Sequence, residues 1–117
     1  MASEAFITAL KATKQISLTV KGRKTGKAVT LPIWYGMEGQ ILYIMPKDGS
    51  RTNWYRNLPA NPTITLKAGP EELSASYTRT TEKPIVQKVI GMIRERHGED
   101  GLKHYSGFDA AVVVDLR

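Results

Sequence analysis

The chain has 117 residues, a formal net charge of +6 and no cysteine, which allows one domain with a modest core and excludes a disulfide framework, a thiol nucleophile and a thiolate metal site. No apolar run approaches the length of a membrane span, and the opening MASEAFITALKATK, with Glu4 in its first turn, lacks the basic-then-apolar order of a signal peptide. A single cytoplasmic domain over residues 1–117, without a transmembrane segment, is therefore expected.

In chain order, Ser3 can cap a first helix running to about Lys14, with Phe6, Ile7 and Leu10 on its apolar face. The period then changes. Ile16, Leu18 and Val20 alternate with polar residues, and the alternation resumes at Val29, Leu31, Ile33 and Tyr35 beyond a glycine-bounded turn, which is a hairpin pattern. QILYIM supplies a third strand after Gly36–Gly39, and Pro32 requires the second strand to be an edge or to bend there. PKDGSRTNWYRNLPANP reads as a loop and one or two helical turns, with Ser50 or Thr52 as cap and Pro59 and Pro62 as stops. TITLK and ELSASYTR are two more strands around Ala68-Gly69-Pro70. From Thr81 a helix with Ile85, Val86, Val89, Ile90 and Ile93 at helical spacing extends to His97, and AAVVVDL closes the chain as a buried strand. The expected fold is mainly β with flanking helices, a small antiparallel six-stranded barrel.

Charge is unevenly placed along this fold. Residues 1–58 hold nine Lys/Arg against three Asp/Glu, whereas residues 59–117 hold eight of each, so the excess favours an anionic ligand at one face. Four of those cations lie in KGRKTGK, residues 21–27. That turn is no Walker loop: Gly22 and Gly26 are four apart, Ala28 stands where a metal-binding hydroxyl belongs, and a strand follows instead of a helix. It fits a solvated hairpin turn or a cradle in which Arg23, Lys24 and Lys27 hold a phosphate or carboxylate. A second anion-friendly element is PKDGSRTNW, with Lys47, Ser50, Arg51 and the amides of a short helix. Trp54 is expected in the core, and Trp34 in the core or a groove wall. His97 and His104 match no metal-ligand spacing and are expected at the surface, so no metal site is predicted. No side-chain set could carry redox or nucleophilic chemistry unaided, which assigns the chemistry of any enzyme here to a cofactor.

GRKTG, the strand proline Pro32, PKDG, NWYRNLPANP and the β-branched close together resemble the deazaflavin-dependent nitroreductase and quinone reductase family, most specifically from about Leu18 to Lys67. The resemblance implies a split β-barrel like those that bind flavin mononucleotide (FMN). It also implies coenzyme F-420 as hydride donor to a small organic acceptor such as a quinone or nitroaromatic. By the same likeness, Arg23, Lys24 and Thr25 would lie near the cofactor's phosphate and tail, Leu31, Pro32 and Ile33 along its ring, and Met45, Pro46, Lys47, Asp48 and Gly49 on the ring's other side. Asn53, Trp54, Asn57, Leu58, Asn61 and Pro62 would be mainly structural. No catalytic residue is assigned, and Tyr35 and Tyr105 are the candidate substrate contacts. Asp48-Gly49 stands where the family usually carries a glycine pair, and Val29 where it often has an arginine. Related barrels dimerise, which makes a homodimer an expectation by analogy. Two rival readings use the same residues: an FMN-dependent oxidoreductase or sensor, and a nucleic-acid-binding barrel with Trp34 and Tyr43 as stacking platforms.

Overall fold

Strand-forming alternation and glycine turns build a meander whose second strand is shared between two half-sheets. The computed structural model describes residues 3–117; Met1 and Ala2, which belong to the expected domain, lie outside the described residues. Helix α1 (Glu4–Lys11) begins at Ser3, whose hydroxyl accepts the Phe6 N–H at 3.2 Å, and buries Phe6 and Leu10. Strands β1 (Gln15–Lys21), β2 (Ala28–Glu38) and β3 (Ile41–Ile44) follow as antiparallel neighbours. Short helix α2 (Asn53–Asn57) sits between the 3-10 turns Gly49–Arg51 and Leu58–Ala60. The remaining elements are β4 (Ile64–Ala68), β5 (Glu71–Ala75), β6 (Thr78–Thr80), α3 (Lys83–Leu102) and β7 (Ala111–Asp115).

The strand order is β5-β4-β1-β2-β3-β7-β6, all neighbours antiparallel. There are seven strands where six were expected. The difference lies in residues 72–79, read as one strand: β5 pairs with β4, and β6 crosses to pair with β7. The chain turns between them at Ser76 and Tyr77, whose hydroxyl donates to the carbonyls of Leu58 and Asn61 and pins the crossing.

Strand β2 explains its proline. Residues 28–34 pair only with β1, and residues 35–38 pair with β3. Pro32 therefore lies in the half of β2 that has a strand on one side only, where a missing N–H costs no ladder bond. The curled sheet encloses a core of Leu18, Tyr35, Leu42, Ile44, Leu58, Leu66, Val112 and Val114, closed by Phe6 and Leu10 of α1. A second cluster, with Tyr43, Val86, Val89, Ile93 and Ala111, joins α3 to the outer face of β3 and β7. Helix α3 bends at Gly98, where φ is 74°, a conformation that favours glycine. Beyond the bend, His104 and Tyr105 come against Trp34 of β2.

Candidate functional site

The unpaired half of β2 opens a groove. Val29, with 47% of its surface exposed, continues the apolar face that Ile33 and Tyr35 bury further along the strand. The groove has a volume of about 820 Å³, in the range of small-molecule and cofactor sites.

At one end lies the basic turn. Gly22 N–H donates to the Lys27 carbonyl and Gly26 N–H to the Gly22 carbonyl, both at 2.9 Å, which closes residues 22–27 into a tight loop. Arg23, Lys24 and Thr25 line the groove from it, while Lys27 is exposed outside the lining. The turn is anchored from below. Asn61 accepts the Lys21 N–H at 2.8 Å and donates to the Lys21 carbonyl at 2.9 Å, imitating a strand partner, and Asn57 accepts from Arg23. Buried Asn57 thus orients Arg23, and buried Asn61 fixes the backbone at Lys21.

The floor is Leu31, Pro32 and Ile33, with Met45, Lys47 and Asp48 on the facing loop. Pro46 and Gly49, expected beside the same ligand, do not line the groove; both are buried behind the loop. Ser50 and Arg51 also lie outside the lining, and the Ser50 donors have another partner. Asp109 already accepts the Ser50 N–H at 2.9 Å and the Ser50 hydroxyl at 2.6 Å. Those donors hold the Asp109 carboxyl below its usual range, with desolvation opposing them and Arg51 adding a smaller downward pull. Thr52, an expected helix cap, turns its hydroxyl to the Asp48 N–H at 2.8 Å instead.

The other end is aromatic. Trp34 stacks on His97 with ring centroids 3.8 Å apart and planes 9° from parallel, meets His104 edge-on at 5.5 Å, and leans on Tyr105 at 6.1 Å. Trp34, His104 and Tyr105 line the groove. Burial pushes the Tyr105 hydroxyl up to about 12, so it stays a protonated donor at neutral pH. Burial lowers the pKa of His97, helped by Arg96 and then Lys14. The sequence reading missed both histidines as members of this cluster. Their contacts run from α3 and the segment after it to a β2 residue, which no spacing within the chain could reveal.

Two expectations are corrected. Tyr35 makes no groove contact: it is fully buried, and its hydroxyl donates to the Leu10 carbonyl and, at 2.7 Å, to the Thr13 carbonyl. Trp34 and Tyr43 do not form a stacking platform for bases, because Tyr43 is buried under α3 with Lys88 5.7 Å from its ring centre and one face of Trp34 is already covered by His97. Trp54 is 5% exposed in the core, as expected, with an edge on the groove. Among the described residues, no group of three or more His, Cys, Asp and Glu could hold a metal ion, and no helix is long and apolar enough to cross a membrane.

A curled antiparallel sheet with a cofactor-sized groove beside its shared strand defines a split β-barrel fold. Solved structures with this fold include an F420-H2 dependent reductase (FDR-A), at TM-score 0.64 and 18% identity over 86% of this chain and 93% of that one. A conserved hypothetical protein from Mycobacterium tuberculosis matches at TM-score 0.72 and 15% identity, over 97% and 79% of the two chains. A FAD-binding protein from Mesorhizobium loti matches at TM-score 0.66 and 13% identity, over 100% and 90%. The family model for F420H(2)-dependent quinone reductase matches residues 2–99. The chain belongs to that family and is, by that membership, an oxidoreductase.

Proposed function

We propose that this oxidoreductase draws its reducing equivalents from coenzyme F-420 and passes a hydride to a small organic acceptor of the quinone or nitroaromatic class. The observation that carries the reading is one groove running from Arg23 and Lys24, across Leu31, Pro32 and Ile33, to Trp34 and Tyr105. Family membership supports the donor.

The residues present fit the cofactor. A phosphodiester and oligoglutamate tail needs cations on a backbone that can be closely approached, which the turn between Gly22 and Gly26 provides. A flat ring needs an apolar floor, and the LPI segment of β2 supplies one with its second sheet edge unpaired. When bound, the reduced deazaflavin supplies the hydride. The chain's own part is to bind, orient and exclude water: Arg23 and Lys24 hold the anionic end, Met45 and Ile33 dry the middle, and Trp34 and Tyr105 bound the far end. The protonated Tyr105 hydroxyl is available as a hydrogen-bond donor to an acceptor oxygen gaining negative charge.

FMN in the same groove is the second reading, since a single phosphate would also suit the basic turn and a FAD-binding protein shares the fold. A homodimer is proposed because one similar structure is described as a domain-swapped dimer, and a cytoplasmic location because the chain carries no cysteine. Titration with oxidised F-420, FMN and single-stranded oligonucleotide, for wild type and the Arg23→Ala/Lys24→Ala double variant, tests the ligand. The double variant should bind F-420 about 1–3 kcal/mol more weakly, with a shallower salt dependence. Equal affinity in the two proteins at low salt would remove the turn from the site.

A further inference from the structure

Two loops meet at the aromatic end of the groove, and their contact is more elaborate than a loop crossing needs. Residues 46–52 follow β3, and residues 103–109 lead into β7. The Lys47 carbonyl accepts the Ser106 N–H at 2.8 Å and the Gly107 N–H at 3.3 Å, and Asp48 and Gly107 pair as a short parallel bridge. Side chains repeat the join in both directions. The Asp48 carboxylate accepts the Ser106 hydroxyl, and the Asp109 carboxylate accepts both donors of Ser50. The approach is so close that a Cβ on Gly107 would overlap the Asp48 backbone, and one on Gly49 would overlap the Asp109 carboxylate. One segment cannot slide along the other without breaking this register.

Tyr105 immediately precedes Ser106. Its ring is located by packing against Trp34 and Phe108, with centroids 6.1 and 6.3 Å away, and by the backbone that follows it. Phe108 is itself 43% exposed, whereas Tyr105 also rests on the second apolar cluster and its N–H donates to the Leu102 carbonyl at 3.1 Å. The clasp next door adds the restraint on the side that Phe108 leaves open.

We propose that Asp48 and Ser106 form a positioning clasp that holds Tyr105 as the acceptor-side wall of the groove. This rests on the reading of the groove given above, and it gives the Asp48 carboxylate a task other than facing an anionic cofactor. Asp48 is a positioning residue, acting through Ser106 and its neighbours on Tyr105. The carboxylate would repel the cofactor's anionic tail if it were aimed at it, and the Ser106 hydroxyl occupies one of its oxygens.

The test uses the full chain with the variants Asp48→Ala, Ser106→Ala, their combination and Asp48→Asn, which keeps an acceptor oxygen for Ser106. Three readouts are compared: amide hydrogen exchange of residues 104–109, binding of menadione (a naphthoquinone) without cofactor, and binding of oxidised F-420. Each Ala variant should weaken menadione binding by about fivefold, the loss of one hydrogen bond's worth of order, and speed exchange across 104–109. The double variant should be no worse than the poorer single one, because both remove the same contact. Asp48→Asn should restore menadione binding to within about twofold of wild type. F-420 binding should stay within about twofold in Ser106→Ala, since Ser106 lies outside both the basic turn and the groove lining.

Three results would overturn the clasp: no menadione binding by wild type, a silent Ser106→Ala, or tighter F-420 binding in Asp48→Ala with exchange and menadione binding unchanged. If Asp48→Ala does not fold, Ser106→Ala breaks the same hydrogen bond from an exposed position and decides the matter alone. Wild type that binds menadione but not F-420 would sink the deazaflavin reading, while menadione binding and exchange in the variants still decide the clasp.

Discussion

Asn57 accepts two hydrogen bonds from Arg23 on a single oxygen, from the backbone N–H at 3.2 Å and from the guanidinium Nη1 at 2.6 Å. A buried helix residue thereby sets both the backbone and the side chain of the first cation in the basic turn. Asparagine suits this place because a neutral oxygen holds the guanidinium without cancelling its charge, as an aspartate would.

If that geometry matters for binding, Asn57→Ala should lower F-420 affinity by about tenfold, roughly 1.4 kcal/mol. Because the two side chains act as one unit, adding Arg23→Ala should lower it by less than the product of the single effects. Isothermal titration of the two single variants and the double variant measures the coupling, and additive losses would show that Asn57 does not work through Arg23.

Tyr35→Phe addresses the residue that left the candidate list. Its hydroxyl ties β2 to the end of α1, and Arg96 lies 4.6 Å from the ring centre while donating to the Thr13 carbonyl at 3.0 Å. Loss of the hydroxyl takes a donor from the buried Leu10 carbonyl, while the Thr13 carbonyl keeps Arg96, and should cost about 1–3 kcal/mol in denaturant unfolding. Turnover per folded molecule should not change. A fall in turnover with stability intact would return Tyr35 to the site.

Trp54 fills the core beneath the groove, with Tyr55 6.3 Å away ring to ring. Trp54→Ala should cost about 3–5 kcal/mol of stability, read from the shift in denaturation midpoint at constant slope.

His97 gives the fold a pH dependence of known sign. Its folded-state pKa lies below the 6.5 of the free side chain, first through burial and then through Arg96 and Lys14. The folded protein therefore binds fewer protons at this site than the unfolded chain. The stability it contributes is complete above pH 6.5 and is lost as pH falls through the lowered value. Unfolding followed from pH 7 to about pH 5 should show stability declining more steeply in wild type than in His97→Gln. Parallel slopes in the two proteins would mean that the histidine titrates normally when folded.

The hairpin β1–β2, the opening and closing elements and the basic turn could be read from the chain because each is written locally, in alternation, caps and glycines. The single strand expected over residues 72–79 failed because Tyr77 has strand-forming chemistry, and what breaks the strand is its hydroxyl reaching Leu58 and Asn61. Ser50 looked like an open donor for the same kind of reason: its partner Asp109 is 59 residues away. The groove's basic end and apolar floor follow from residues close together in sequence, whereas its aromatic end is assembled by α3 and the two joined loops. His97, His104 and the tasks of Asp48 and Asp109 were therefore beyond any local pattern.

The electron donor defines what this oxidoreductase does. The most direct measurement follows menadione-dependent oxidation of reduced F-420 and of reduced FMN by absorbance, at equal protein and cofactor concentrations, each corrected for the reaction without protein. If reduced F-420 is the donor, protein-dependent turnover with it falls in the Arg23→Ala/Lys24→Ala variant, and reduced FMN gives little above background. Protein-dependent turnover with FMN alone would contradict the F-420 reading.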